Sequence, residues 1–171
     1  MERVDLEVEV GEGLLSRVFS FPHPVNEVAA RSVALMVMGM SLVIIVFDVR
    51  WLLFVLAYGF AARVLTGPTL SPMGQLATRL IAPKIIGRSK PVAGPPKRFA
   101  QVIGLVFALT ALTLTYAVGA PGAAKAVLGV LVVFAGLEAI VGFCAGCFVF
   151  GYLMRWGLVP ADVCERCSNI R

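Results

Sequence analysis

Apolar and polar residues alternate one for one at the start of the chain. Val4, Leu6, Val8 and Val10 fall on one face, and Asp5, Glu7 and Glu9 on the other. Period two predicts a short strand closed by Gly11 and Gly13, which needs a partner strand in this chain or another. The same stretch also reads as a tail that merely alternates. From Ala29 the pattern changes to long apolar runs. The first lasts to Phe47 with no charge after Arg31, and Asn26 stands where a helix N-cap belongs. Glu27 and Arg31 follow at i,i+4 in the favourable acid-before-base order. After the polar turn Asp48-Val49-Arg50, a second run extends from Trp51 to Leu65. As a helix it rises only about 22 Å, less than the roughly 30 Å hydrocarbon core of a bilayer. It must thin the membrane, run on past Leu65, or be partly re-entrant.

A third run, Ala100 to Ala120, is uncharged throughout and ends at the Pro121-Gly122 turn signal. The fourth, Ala126 to Met154, contains one charge, Glu138. Unbroken, it would be about 43 Å long, so a break near Gly142 and Gly146 or a projection beyond the membrane is expected. Between the second and third runs lies a basic connector rich in Pro and Gly, Thr66 to Arg98. Within it Ser71 can cap a short helix with Pro72 in its first turn. Met73, Leu76, Ala77, Leu80 and Ile81 fall on one face of that helix, which predicts an interfacial amphipathic helix ended by Pro83.

Four spans place both termini and the connector on one side. That side holds three Lys/Arg up to Arg31, seven from Arg63 to Arg98 and three from Arg155 onward, leaving only Arg50 and Lys125 for the short loops. The positive-inside rule makes the basic side, with the N- and C-termini, cytoplasmic. Composition agrees with a membrane chain. Apolar residues are 59% before the 17 glycines are counted, and charged residues only 15%. Soluble domains have about 45–50% apolar with glycine included, and about 25% charged. The net charge of +5 therefore reads as orientation in the bilayer. No base-stacking aromatics interleave with the basic residues, so nucleic-acid binding is not expected. The first residues, with Glu2, Asp5, Glu7 and Glu9, lack the basic start of a secretory signal, so the spans themselves are expected to anchor the chain.

All four cysteines fall in two Cys-x-x-Cys units, Cys144-Ala-Gly-Cys147 and Cys164-Glu-Arg-Cys167, with 16 residues between them. Two chemistries use that pattern. A tetrathiolate zinc site wants two Cys-x2-Cys pairs about 15–20 residues apart, and a cytoplasmic setting favours metal over stable disulfides. The apolar frame Gly-Phe-Cys-Ala-Gly-Cys-Phe-Val-Phe offers little to neutralise four thiolates, though Arg155 and Arg166 are near in sequence. A redox relay uses the same thiols differently. A helix start lowers the pKa of one thiol, and the second resolves a mixed disulfide. Asp162 would cap a short helix carrying Cys164 and Cys167. Counted from Lys125, Cys144 and Cys147 lie about 29–33 Å along, at the cytoplasmic interface, and a turn at Gly157 to Pro160 would fold the second pair back on the first. A third reading makes Cys144 and Cys147 small packing residues at a helix end.

Glu138 is the one acid inside a span. Its depth of about 20 Å matches the roughly 18 Å of Arg63, which predicts a buried Glu138–Arg63 pair, mainly as a helix clamp. Arg63 also has the option of snorkelling. His23, between Pro22 and Pro24, reads as a surface loop residue.

Several stretches together resemble the bacterial membrane proteins grouped as domain of unknown function 4395. They are Phe21-Pro-His-Pro-Val-Asn-Glu-Val-Ala-Ala-Arg31, Gly94-Pro-Pro-Lys-Arg-Phe-Ala-Gln101, Gly142-Phe-Cys-Ala-Gly-Cys147 and Val159-Pro-Ala-Asp-Val-Cys-Glu-Arg-Cys167. The resemblance covers Phe21 to Arg171 and implies an integral membrane protein associated with thioredoxin-like or rhodanese-like proteins. It assigns no role to any single cysteine. The expectation is an all-α membrane protein of four transmembrane helices, with residues 1–20 as a tail and 21–171 as one domain. Its expected function is dithiol or sulfur exchange with such a partner. The alternative is a non-catalytic membrane subunit, open to oligomerisation, whose four cysteines bind structural zinc and whose N-terminal strand recruits a protein partner. A small transporter built on Glu138 would need oligomerisation.

Overall fold

The computed structural model describes residues 25–86, 91–92 and 94–157. The alternating stretch from Val4 to Val10, the tail 1–20, His23 and the pair Cys164 and Cys167 lie outside the described residues. What is described is helical apart from one two-residue antiparallel pairing. In it β1 (Val25–Asn26) meets β2 (Pro91–Val92), with Val25 opposite Val92 and Asn26 opposite Pro91.

Helix α1 (Glu27–Phe47) begins where Asn26 accepts the backbone N–H of Val28 at 3.0 Å, the N-cap bond expected from the sequence. It ends at Asp48, whose positive φ of 54° turns the chain sharply into α2 (Leu52–Thr66). The connector opens with α3 (Pro72–Gln75), capped by Ser71 accepting from Gly74 N–H, with Pro72 in the first turn. The helix does not stop at Pro83. It widens into a π-helical segment, Leu76–Ile86, and in that i→i+5 register it runs on past the donor that Pro83 lacks. Helix α4 (Gly94–Tyr116) starts six residues earlier than the apolar run alone suggested, with Pro95 and Pro96 in its first turn. Helix α5 (Pro121–Gly136) passes into a π-helical turn, Leu137–Val141, and the chain breaks at Gly142 before α6 (Ala145–Arg155). The fourth apolar run is thus divided at one of the glycines singled out in the sequence.

Three helices are long and apolar enough to cross a membrane: Glu27–Phe47, Gly94–Tyr116 and Pro121–Val141; α2 and α6 are shorter apolar helices. Helix α4 packs against α2 on one side and α5 on the other, α5 packs against α1, and α6 lies on α4. Between them Val33, Val37, Leu53, Leu56, Phe60, Leu128 and Leu131 are buried with a set of alanines. Outward faces carry exposed Leu35, Val46, Phe54, Val106, Val133 and Ile140, a surface compatible with lipid.

The antiparallel course brings unlike chemistry to the two ends. At one, Asp48 bonds Arg50 at 2.7 Å and Lys125 at 3.0 Å, tying the α1–α2 turn to the start of α5. Hydrogen bonds from Lys125 and Arg50 hold its carboxyl below the usual carboxylate range. The other end collects the start of α1, the end of α2, the start of α4 and the break after α5. Close approach there depends on small residues. A Cβ on Gly104 of α4 would overlap the buried ring of Phe60 on α2. Gly104→Ala should therefore lower thermal stability in detergent by about 1–3 kcal/mol, since overpacking forces a buried ring off its rotamer. Adding Phe60→Leu should recover part of the loss; two strictly additive effects would mean the helices do not meet at this point.

Candidate functional site

The break after α5 builds the site. A helix ending in apolar surroundings leaves carbonyls without donors, which must be met from elsewhere. Gly142, at φ 79°, returns its N–H to Glu138 O at 3.1 Å, and Phe143 N–H reaches Leu137 O at 3.2 Å. Arg31 of α1 serves the next two carbonyls. Its Nε and Nη2 donate to Ala139 O at 3.2 and 3.1 Å, and Nη2 also to Ile140 O at 2.7 Å. A Cβ on Gly142 would stand 3.4 Å from Arg31 Nη1 and 3.6 Å from Glu27 Oε1, so the glycine both takes the left-handed turn and admits this pair.

Beyond the turn, Cys144 has extended backbone and is the N-cap of α6. Its Sγ accepts the backbone N–H of Cys147 at 3.4 Å, and the two thiols hydrogen-bond to each other. The two sulfurs are unequal. The Cys144 thiol is held below the ordinary thiol range, chiefly by the hydrogen bond from Cys147; burial and the Glu138 carboxylate oppose this, and the positive charge of Lys97 helps it. Cys147 is pushed well up, first because its proton is engaged by Cys144 and then by burial. Both are free thiols in this structure. Gly146, between them, presses on α4; a Cβ there would lie 2.6 Å from Ala100 Cα. Ring contacts continue along α6, with Phe99 on Phe150 at 5.6 Å and Phe148 on Tyr152 at 4.9 Å.

Cys144 also lines a cavity of about 230 Å³, walled by Val33, Val37, Phe60 and Phe107 and given polar character mainly by Gln101 and Glu138. Glu138 is not paired with Arg63 as the depth match suggested. Its Oε1 takes the ammonium of Lys97 at 2.6 Å, and both side chains are largely buried. The early start of α4 is the reason, because it carries Lys97 onto the helix facing α5 instead of leaving it in the connector. Pro95-Pro96, a first-turn signal, was the sequence feature that pointed to it. Arg63 instead bonds Gln101 Oε1 at 2.8 Å and Ser71 Oγ at 3.2 Å and lies 4.6 Å over the Phe60 ring. Sequence reasoning also missed Arg31 as the cap of the break, having noted it only as the partner of Glu27.

Of the four cysteines, the structure describes only the first pair, so the two Cys-x-x-Cys units are not seen relative to each other. Among the described residues no group of three or more His, Cys, Asp or Glu side chains is placed to share a metal ion.

Residues 25–155 match the family described as a Domain of unknown function (DUF4395), and the chain belongs to that family. The matched stretch includes Cys144 and Cys147 and ends before Cys164. No curated protein and no solved structure matches the chain.

The buried pair invites a direct test. Glu138→Gln should destabilise the protein by about 3–5 kcal/mol by leaving the ammonium uncompensated, and Lys97→Met added to it should restore part of that. The coupling measured between Glu138 and Lys97 should exceed that between Glu138 and Arg63. The reverse order would return Arg63 to the role of partner.

Proposed function

We propose that Cys144 and Cys147 form a membrane-held dithiol that exchanges disulfide or sulfur with a soluble thioredoxin-like or rhodanese-like protein. The observation that carries this reading is the inequality of the two thiols at the start of α6. One is a helix N-cap held toward the thiolate, and the other keeps its proton and sits within reach to resolve. In this mechanism Cys144 attacks the partner's disulfide sulfur, and Cys147 then displaces the partner and closes an internal disulfide. Lys97 stabilises the thiolate by its charge, and its ion pair with Glu138 fixes where that charge sits. The pair Cys164 and Cys167 would reduce the Cys144–Cys147 disulfide by a second exchange and take the disulfide onto themselves.

In the same proposal α2 is a fourth, short span, and the π-helical connector lies along the interface with Leu76 and Leu80 outward. The end bearing the thiols faces the cytoplasm. The described basic side chains favour that orientation: Arg31, Lys97, Arg98 and Arg155 lie at or near the thiol end, against Arg50 and Lys125 at the other.

Alkylation by iodoacetamide should label Cys144 with a midpoint below the free-thiol value of about 8.5, and Cys147 far more slowly. With glutathione disulfide as probe, Cys147→Ser should accumulate a mixed disulfide on Cys144, and Cys144→Ser should not. Equal alkylation of the two thiols, with no mixed disulfide, would refute the relay. About one zinc per chain, lost with any single Cys→Ser change, would replace it by the structural-metal reading.

Orientation is checked separately in intact cells with single cysteines on a cysteine-free background. An impermeant maleimide should label Val118→Cys and spare Leu70→Cys. The opposite pattern would turn the thiol end outward.

A further inference from the structure

Arg63 is 4% exposed, and its guanidinium has three neutral neighbours: the Gln101 amide oxygen, the Ser71 hydroxyl and the Phe60 ring. Its Nη2 is buried with no acceptor at all. Among the described residues no carboxylate stands at ion-pair distance from it. The nearest acid in this part of the bundle, Glu138, is already committed to Lys97, itself 7% exposed. Two buried cations therefore share one buried anion. Isolated charge in such surroundings is strongly disfavoured, and buried ions are found paired.

Beside these groups lies a second cavity, of about 60 Å³, lined by Arg63, Lys97, Gln101 and Thr78 and closed by Val33 and Pro68. Water needs about 10–15 Å³ on this measure, so the space holds a few water-sized spheres. A chloride ion or a flat three- or four-atom anion fits; a phosphodiester with its glycerol arms does not. We propose that this cavity is a binding site for a small monovalent inorganic anion. The ion lies beside the Arg63 side chain and faces the Lys97 ammonium, which brings the buried charge to zero. It thereby joins α2, the connector and α4, whose side chains form the walls. This inference does not depend on the thiol chemistry proposed above.

Chloride is the probe. The full chain, in nanodiscs of zwitterionic phosphatidylcholine, is moved from sodium gluconate to sodium chloride at constant ionic strength. Tm should rise saturably by a few degrees, as ligand binding to the folded state requires. The ³⁵Cl resonance should broaden in the presence of protein, and nitrate should compete that broadening away. Arg63→Gln, which removes the unbalanced charge, should abolish both responses. Arg63→Lys should keep a saturable response displaced to higher chloride, so that a failure of Arg63→Gln to fold leaves the test intact. A wild-type Tm indifferent to chloride, with no ³⁵Cl broadening, would overturn the proposal and leave Arg63 to water. So would stabilisation by added phosphatidylglycerol without any chloride response, which would make a lipid phosphate the counter-ion.

Discussion

The break at Gly142 is the constraint on which the functional end of the molecule depends. An apolar helix that stops abruptly must find donors for its last carbonyls, and apolar surroundings supply none. Here the left-handed glycine satisfies two of them from its own side. Arg31, reaching across from α1, satisfies Ala139 and Ile140. The guanidinium suits this work because its donors are fixed in a plane and two of its nitrogens can serve neighbouring oxygens together. With those bonds made, the chain is free to start a new helix at Ala145, with Cys144 as its cap.

A helix start is an electrostatic environment as well as a geometry. The Cys147 N–H, in the first turn of α6, points toward the Cys144 sulfur, and the Lys97 ammonium adds its charge from α4. Cys147, one turn on, also feels the Lys97 charge, but its proton is engaged by Cys144, and that contact together with burial pushes it up. The difference between the sulfurs therefore follows from the position of the break, not from their own flanking residues. Moving the break by one residue would put Phe143 or Ala145 at the cap and leave neither thiol there. Close packing of Gly146 on Ala100 holds α6 to α4 and keeps Lys97 within electrostatic reach.

Much of this architecture was legible in the residues. Asn26 and Ser71-Pro72 mark helix starts because their chemistry is local, and each starts a helix in the structure, while Pro121, read only as part of a turn, opens α5. The length of the last apolar run pointed to a break or a projection beyond the membrane, and the chain breaks at Gly142. The pairing of charges was not legible, because it depends on register between helices distant in sequence. Depth counted along separate spans placed Glu138 level with Arg63. Depth has no angular component, however, and the early start of α4 brings Lys97 round to face Glu138 instead. The π-helical turn at Leu137–Val141 adds a further rotation that a count at fixed pitch omits. Pro83 misled for the opposite reason, since a rule drawn from regular α-helix was applied to a segment that is not one.

Gln101 links the two charged systems at this end. Its carbonyl oxygen is held by Arg63, and its side chain lines both the cavity bearing Cys144 and the smaller one beside Lys97. Holding the oxygen on Arg63 leaves the amide nitrogen as the end available to the cavities, so the amide's orientation is set by a cation it does not neutralise. Lys97 stands in a corresponding position, bonded to Glu138 and acting through space on both thiols. Arg63 and Lys97 thus border the same small cavity, each held by a partner of its own, Gln101 for one and Glu138 for the other.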